Sequence, residues 1–132
     1  MGTRFLASPE AKVSDCYRND VVRSSDGGVS TTRTSVYDKV KGTTGWPESY
    51  NARGVVNHSF WNHEKGMAED ENRRLYEKAL KVGDAGWGEK GRTTAYAGTG
   101  VGLISEIKSA GRTVQEVQEQ TRQLLGRARN RL

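Results

Sequence analysis

Apolar positions recur at helical spacing in the second half of the chain and at no regular spacing in the first. Met67, Leu75, Tyr76, Ala79, Leu80 and Val82 include the i, i+4 spacing of one apolar face, which predicts a helix over 67–82. Glu69, Asp70 and Glu71 then fall in its first turn and Lys78 and Lys81 in its last, an order that suits the helix dipole. Gly83 is a natural stop. A second series, Leu103, Ile107, Ala110, Val114, Val117, Thr121, Leu124 and Ala128, alternates steps of four and three, which is heptad spacing. It predicts helices over about 101–110 and 114–130, with Thr113-Val114-Gln115-Glu116 as a capping box opening the last one. Gly111 and Gly126 each weaken a continuous helix by roughly 1 kcal/mol relative to Ala. Thr121 in the seam argues against a strong autonomous coiled coil.

Residues 1–66 are rich in Ser, Thr, Gly, Asn and Asp, with turn signals at Asp26-Gly27-Gly28, Thr43-Thr44-Gly45 and Arg53-Gly54. Short β-branched runs at Val21-Val22, Val29 to Val36 and Val55-Val56 interrupt them. Pro47 biases Trp46 to an extended backbone. Residues 84–102 hold six Gly and predict a loop with an extended piece from Arg92 to Ala97. The expected fold class is α with irregular, extended regions. A small C-terminal helical hairpin and one central helix follow an extended N-terminal half with few short strands. Two parts are expected: a turn-rich, partner-binding segment over 1–66 and a small helical region over 67–132.

Composition sharpens this picture. Leu, Ile, Val and Phe number 7, 2, 12 and 2, about 17% of the 132 residues and below what fills an ordinary interior. That shortage predicts weak cooperativity of unfolding without a partner. No stretch approaches the 18 or so apolar residues of a membrane span. Lys and Arg total 21 against 16 Asp and Glu, a net charge of +5. Such a balance permits contact with an acidic protein surface or with nucleic acid, without the lysine-rich tails of a dedicated nucleic-acid binder. The single cysteine, Cys16, excludes an internal disulfide framework. The first residues lack the apolar run of a secretory signal, and Leu6 breaks the myristoylation pattern. The expected location is intracellular, in cytoplasm or cytoskeleton, or within a virion.

Candidate chemistry is sparse. Gly98-Thr99-Gly100-Val101-Gly102 has its third glycine misplaced for a dinucleotide loop and no Gly-Lys-Ser/Thr for a phosphate loop, so it predicts a turn into a helix. His58 and His63 lie five apart, matching neither same-face helical nor strand spacing, and three or four convergent ligands for a metal are not in sight. A small enzyme using one of these histidines needs a nucleophile and an orienting acid nearby. In the stretch Val36 to Trp61, Lys39-Val40-Lys41, Trp46-Pro47, Gly54-Val55-Val56 and Phe60-Trp61 have a spacing that resembles that of spore-cortex-type cell-wall hydrolases. It lacks the glutamate on an upstream helix that such a glycosidase requires. No catalytic residue, metal or cofactor is expected.

A repeated phrase carries more weight. Arg33-Thr34-Ser35-Val36-Tyr37 and Arg92-Thr93-Thr94-Ala95-Tyr96 share the form R-T-[ST]-[VA]-Y. In an extended segment Arg and Tyr alternate onto one face, and both types dominate interface hot spots. With Trp46, Tyr50, Phe60, Trp61 and Trp87, and the basic end at Arg127, Arg129 and Arg131, they are the expected partner-binding residues. The leading expectation is therefore a non-enzymatic structural subunit of a large assembly. The first candidate is a protein inside the ciliary doublet microtubule. A minor connector, cement or neck protein of a phage or virus particle is the alternative, and a peripheral ribosomal-type subunit is the third. The partners expected are proteins with acidic surfaces, with nucleic acid less favoured and no membrane.

Overall fold

Polar caps set many of the local starts. The Ser14 side chain accepts from the Tyr17 N–H and opens α2 (Asp15–Arg23). Asp26 opens the short α3 (Gly27–Ser30), and Asn57 opens α5 (His58–Glu64). The computed structural model describes residues 1–130, and it begins with the short helix α1 (Gly2–Leu6). Helix α4 (Val36–Lys41) stops at Gly42, whose φ of 74° lies in the left-handed region that other residues rarely adopt. Helix α6 (Glu69–Lys81) has no side-chain cap, but Glu69, Asp70 and Glu71 occupy its first turn and Lys78 and Lys81 its last. Helix α7 (Ala110–Arg129) is the longest, at 20 residues. Short 3-10 turns cover Glu48–Tyr50, Gly83–Gly86 and Thr99–Leu103.

Two of these elements differ from expectation. The stretch 101–110 is not a helix: a 3-10 turn ends at Leu103, and Ile104 is extended at φ −110° and ψ 96°. Gly102 weakens any helix there, and Ile104 is drawn into the core instead. The capping box at Thr113 does not form. Ser109 caps α7 by accepting from the Arg112 N–H at 3.3 Å, so the helix starts earlier and runs through Gly111. Residues 1–66 also hold α1 to α5, with extended backbone confined to short pieces. These helices are too short to show a repeated apolar period.

The strands form a small antiparallel pair, β1 (Thr31–Arg33) with β2 (Arg53–Val55), in the register Thr31–Val55, Thr32–Gly54 and Arg33–Arg53. The far side of β2 is also paired. The Val55 N–H donates to the Ala95 carbonyl at 2.8 Å, and the Ala97 N–H donates to the Arg53 carbonyl at 3.1 Å. Gly54 and Tyr96 form an antiparallel bridge. The two R-T-[ST]-[VA]-Y phrases thus flank one strand from opposite sides. Gly54 has no side chain because the Tyr37 ring and the Thr94 methyl already occupy the space a Cβ would need.

The main core joins Ala7, Val21, Val55, Ala95, Ala97, Val101 and Ile104, with Tyr17, Val22 and Trp87 packed against it. It draws on both sides of residue 66. A second cluster, Val36, Val40 and Tyr76, seats α4 on α6. Fully burying a side chain such as Val21 or Val101 contributes roughly 1.5–3 kcal/mol. Ala and Tyr join Val in the core, so a count of Leu, Ile, Val and Phe understates it. Among the described residues, no helix is long and apolar enough to cross a membrane.

Candidate functional site

A cleft of about 590 Å³ lies between α4 and the loop that follows it, walled by Ser35, Asp38, Lys39, Thr43, Trp46 and Asn51. Its charged groups already have partners. Lys39 pairs with Glu69 at 3.3 Å, and Asp38 accepts from the Thr43 hydroxyl at 3.3 Å.

A second cleft, of about 520 Å³, runs between α1, the Thr99–Leu103 turn and α7. Thr3, Arg4, Gly100, Leu103, Glu116 and Val117 are among its walls. The sequence brings these distant segments together through main-chain ties. The Gly98 N–H donates to the Thr3 hydroxyl at 3.0 Å, and the Lys108 N–H donates to the Ala7 carbonyl at 3.2 Å. Arg4 Nη1 donates to the Glu106 carbonyl at 2.8 Å. Arg4 Nη2 is buried and has no hydrogen-bond partner among the described residues. Buried polar groups in native structures are nearly always paired, so an orphaned guanidinium nitrogen marks a place where an acceptor belongs.

The other charges at this cleft are matched. Glu116 receives Lys108 at 2.8 Å and Arg112 at 3.2 Å. The Lys108 ammonium, ahead of Arg112, holds the Glu116 carboxyl below its ordinary range. Lys108 is pushed up in turn by its hydrogen bonds to Glu106 and then Glu116. Arg4 makes no ion pair among the described residues. A planar guanidinium can grip an anion of two oxygens through parallel N–H donors, but Arg4 Nη1 is engaged by Glu106 and Nη2 is shut from solvent, so such an anion reaches the pair only when the Arg4 side chain turns toward the cleft. Leu103 and Val117 offer apolar wall beside it.

The residues singled out from sequence do not converge on either cleft as a group. Tyr37 is fully buried and donates to the Val55 carbonyl at 2.7 Å, so it anchors the interior and presents nothing to a partner. Tyr96 is half-buried, accepting from Lys41 Nζ at 2.9 Å, with that ammonium 4.2 Å from its ring centroid. Burial pushes Lys41 down. Arg92 turns inward and donates to the buried Asn72 at 2.9 Å. Trp87 packs on Tyr17 at 5.9 Å between ring centroids. Phe60 and Trp61 meet edge to face at 5.1 Å. Arg33 is exposed and bonds the carbonyls of Asn51 and Ser49. Trp46 and Tyr50 are exposed, Trp46 on the first cleft. Arg127 and Arg129 are exposed in the last turn of α7, and Arg131 lies outside the described residues.

His58 and His63 sit at opposite ends of α5, both exposed. Among the described residues, no group of three or more His, Cys, Asp or Glu could hold a metal. Sequence reasoning missed Arg4 because nothing near it in the chain marks it: its bonded carbonyl is 102 residues away.

Comparison with known proteins finds two relatives that are named as enzymes. The chain is 45% identical over 125 residues to nitronate monooxygenase npaC of Metarhizium robertsii, an alignment covering 95% of this chain and 35% of that protein. It is 31% identical over 123 residues to a nitronate monooxygenase of Neurospora crassa, covering 93% of this chain and 31% of that protein. The chain thus spans about a third of the length of these curated relatives. No protein-family model matches it, and no solved structure matches it.

These relatives overturn the expectation of a non-enzymatic structural subunit, whether of a ciliary microtubule, a virion or a ribosomal-type assembly. Both are named as enzymes. The expectation rested on a shortage of core-forming residues and on the repeated phrase, whose Tyr37 is buried in the interior and whose Arg92 turns inward onto Asn72.

Proposed function

We propose that this chain forms part of a nitronate monooxygenase, with the Arg4 cleft receiving an anionic group. The observation that carries this reading is the 45% identity to a protein of that name along 95% of the chain. The geometry supports it. A nitronate is a deprotonated nitroalkane, and its charge rests largely on two oxygens of one planar group. That shape matches the fork of a guanidinium with one N–H direction still unused. The apolar wall at Leu103 and Val117 suits a short alkyl portion.

The test is oxygen uptake by the purified protein with a small alkyl nitronate, set against the neutral nitroalkane, together with calorimetric binding of both. Uptake and binding selective for the nitronate are expected. Arg4→Met keeps the apolar stem and removes the charge, and is expected to weaken nitronate binding by about tenfold or more, the scale of a lost charge-assisted hydrogen bond. Neither uptake nor binding of the nitronate by the unaltered protein would overturn the reading.

A further inference from the structure

Lys41 closes α4, Tyr96 stands on the segment that bridges β2, and their polar ends meet. Lys41 Nζ donates to the Tyr96 hydroxyl at 2.9 Å and lies 4.2 Å from the ring centroid, across 55 residues of chain. Lys39, two residues earlier, is paired with Glu69 at 3.3 Å, whereas Lys41 makes no ion pair among the described residues and rests on the phenol instead. Asp38, one turn back on α4, is the nearby acid whose charge acts on both groups. It is also a wall of the first cleft, so the cluster borders that cleft.

An ammonium held this way is desolvated without a carboxylate in contact to offset the cost. Burial therefore pushes Lys41 down, against the weaker pull of Asp38. The phenol moves the other way. Burial, ahead of the Asp38 charge, pushes Tyr96 up to about 12, so it keeps its proton at neutral pH. An amine with an enlarged neutral fraction beside a protonated phenol supplies the two groups that condensation with a carbonyl needs, a nucleophile and a general acid.

We infer that Lys41 is a covalent capture site for small aldehydes, with Tyr96 as its proton donor. The neutral amine attacks the carbonyl carbon, and the C–N bond forms as a proton passes from nitrogen to oxygen. The phenol then protonates the new hydroxyl, which leaves as water while the C=N bond forms. The phenolate takes its proton back from the iminium nitrogen. Amine and aldehyde thus become imine and water, and no oxidant or reductant is consumed. Partial burial of Lys41 restricts the aldehyde to a short chain. The site does not depend on the proposed activity, since Lys41, Asp38 and Tyr96 are not walls of the Arg4 cleft.

The test incubates the purified protein with propanal and sodium cyanoborohydride, which traps each imine as a secondary amine. The reaction is stopped while most chains are still unlabelled, and peptide mass spectrometry reads the rate at each lysine. Lys41 should label severalfold faster than the exposed Lys78, Lys81 and Lys90. Tyr96→Phe keeps the ring and the backbone bonds to Tyr17. It should slow labelling of Lys41 by about tenfold or more, the lower reach of general acid catalysis, and leave the exposed lysines unchanged. Lys41→Arg should abolish the fast label and keep the slow ones. Labelling in proportion to exposure, with Lys41 no faster than Lys78 or Lys90, would overturn the proposal. An unchanged Lys41 rate in Tyr96→Phe would overturn the role of the phenol.

Discussion

The Tyr17 hydroxyl engages both backbone groups of Tyr96, donating to its carbonyl at 2.7 Å and accepting from its N–H at 2.9 Å. A side chain on α2 thus finishes the open edge of the Ala95–Ala97 segment, 79 residues away in the chain. Tyr17→Phe keeps the ring on Trp87 but leaves two partly buried backbone groups without a partner. A loss of about 1–3 kcal/mol is expected from urea unfolding. A variant as stable as the parent would show that water replaces the phenol at no cost.

Asn57 has two duties. Its side-chain oxygen accepts from the Ser59 and Phe60 N–H groups, and its amide donates to the Thr93 carbonyl at 3.1 Å. Asn57→Ser preserves a cap and loses the strap to Thr93. Asn57→Ala loses both, at about 2–3 kcal/mol in total. Thermal melts should rank the parent first, Ser second and Ala last.

Two glycine-to-alanine changes should move stability in opposite directions. At Gly27 an added methyl runs into the Thr99 backbone carbonyl, so Gly27→Ala is expected to destabilise by about 1–3 kcal/mol. At Gly111 nothing lies within 4 Å of the new atom, and the site is helical. Gly111→Ala is expected to stabilise α7 by up to about 1 kcal/mol, visible as increased helical circular dichroism.

Alkaline pH should unfold the protein from within. Burial, ahead of the Asp38 charge, pushes the Tyr96 phenol up to about 12 from its ordinary 10.0. Burial also pushes Tyr37 and Tyr17 up. For an acid raised on folding, the stabilisation is complete below the unfolded value and is lost as pH rises toward the folded one. The denaturant midpoint should therefore hold steady to about pH 10 and fall steeply toward about pH 12. Phenolate absorbance should grow in step with that loss.

The parts of this fold visible in sequence are those whose cause is local. The apolar spacing and end charges of residues 67–82 place α6 within two residues of its observed Glu69–Lys81. The heptad series marks α7, though not its start, because Ser109 competes successfully with Thr113 for the cap. Helices α2, α4 and α5 span 9, 6 and 7 residues, too few turns for a period to declare itself. The repeated phrase was visible, but its meaning was not. One copy leads into α4 and buries Tyr37, while the other bridges β2, and only the shared strand between them explains the likeness. The Arg4 cleft was invisible for the same reason, since it joins the two ends of the chain.

The chain leaves β2 at Val55 and comes back to it at Ala95, hydrogen-bonded to the residue it departed from. Helices α5 and α6 are thus an excursion whose two feet stand side by side. The entropy of closing such an excursion grows only with the logarithm of its length, about 0.6 kcal/mol for each doubling. Extra residues at its exposed tip, between Glu64 and Ala68, would therefore disturb the interior little. One extra residue at its foot, between Gly54 and Val55, would slip the pairing and turn Val55 away from the core. Length is free to vary at the tip and fixed to a single residue at the foot.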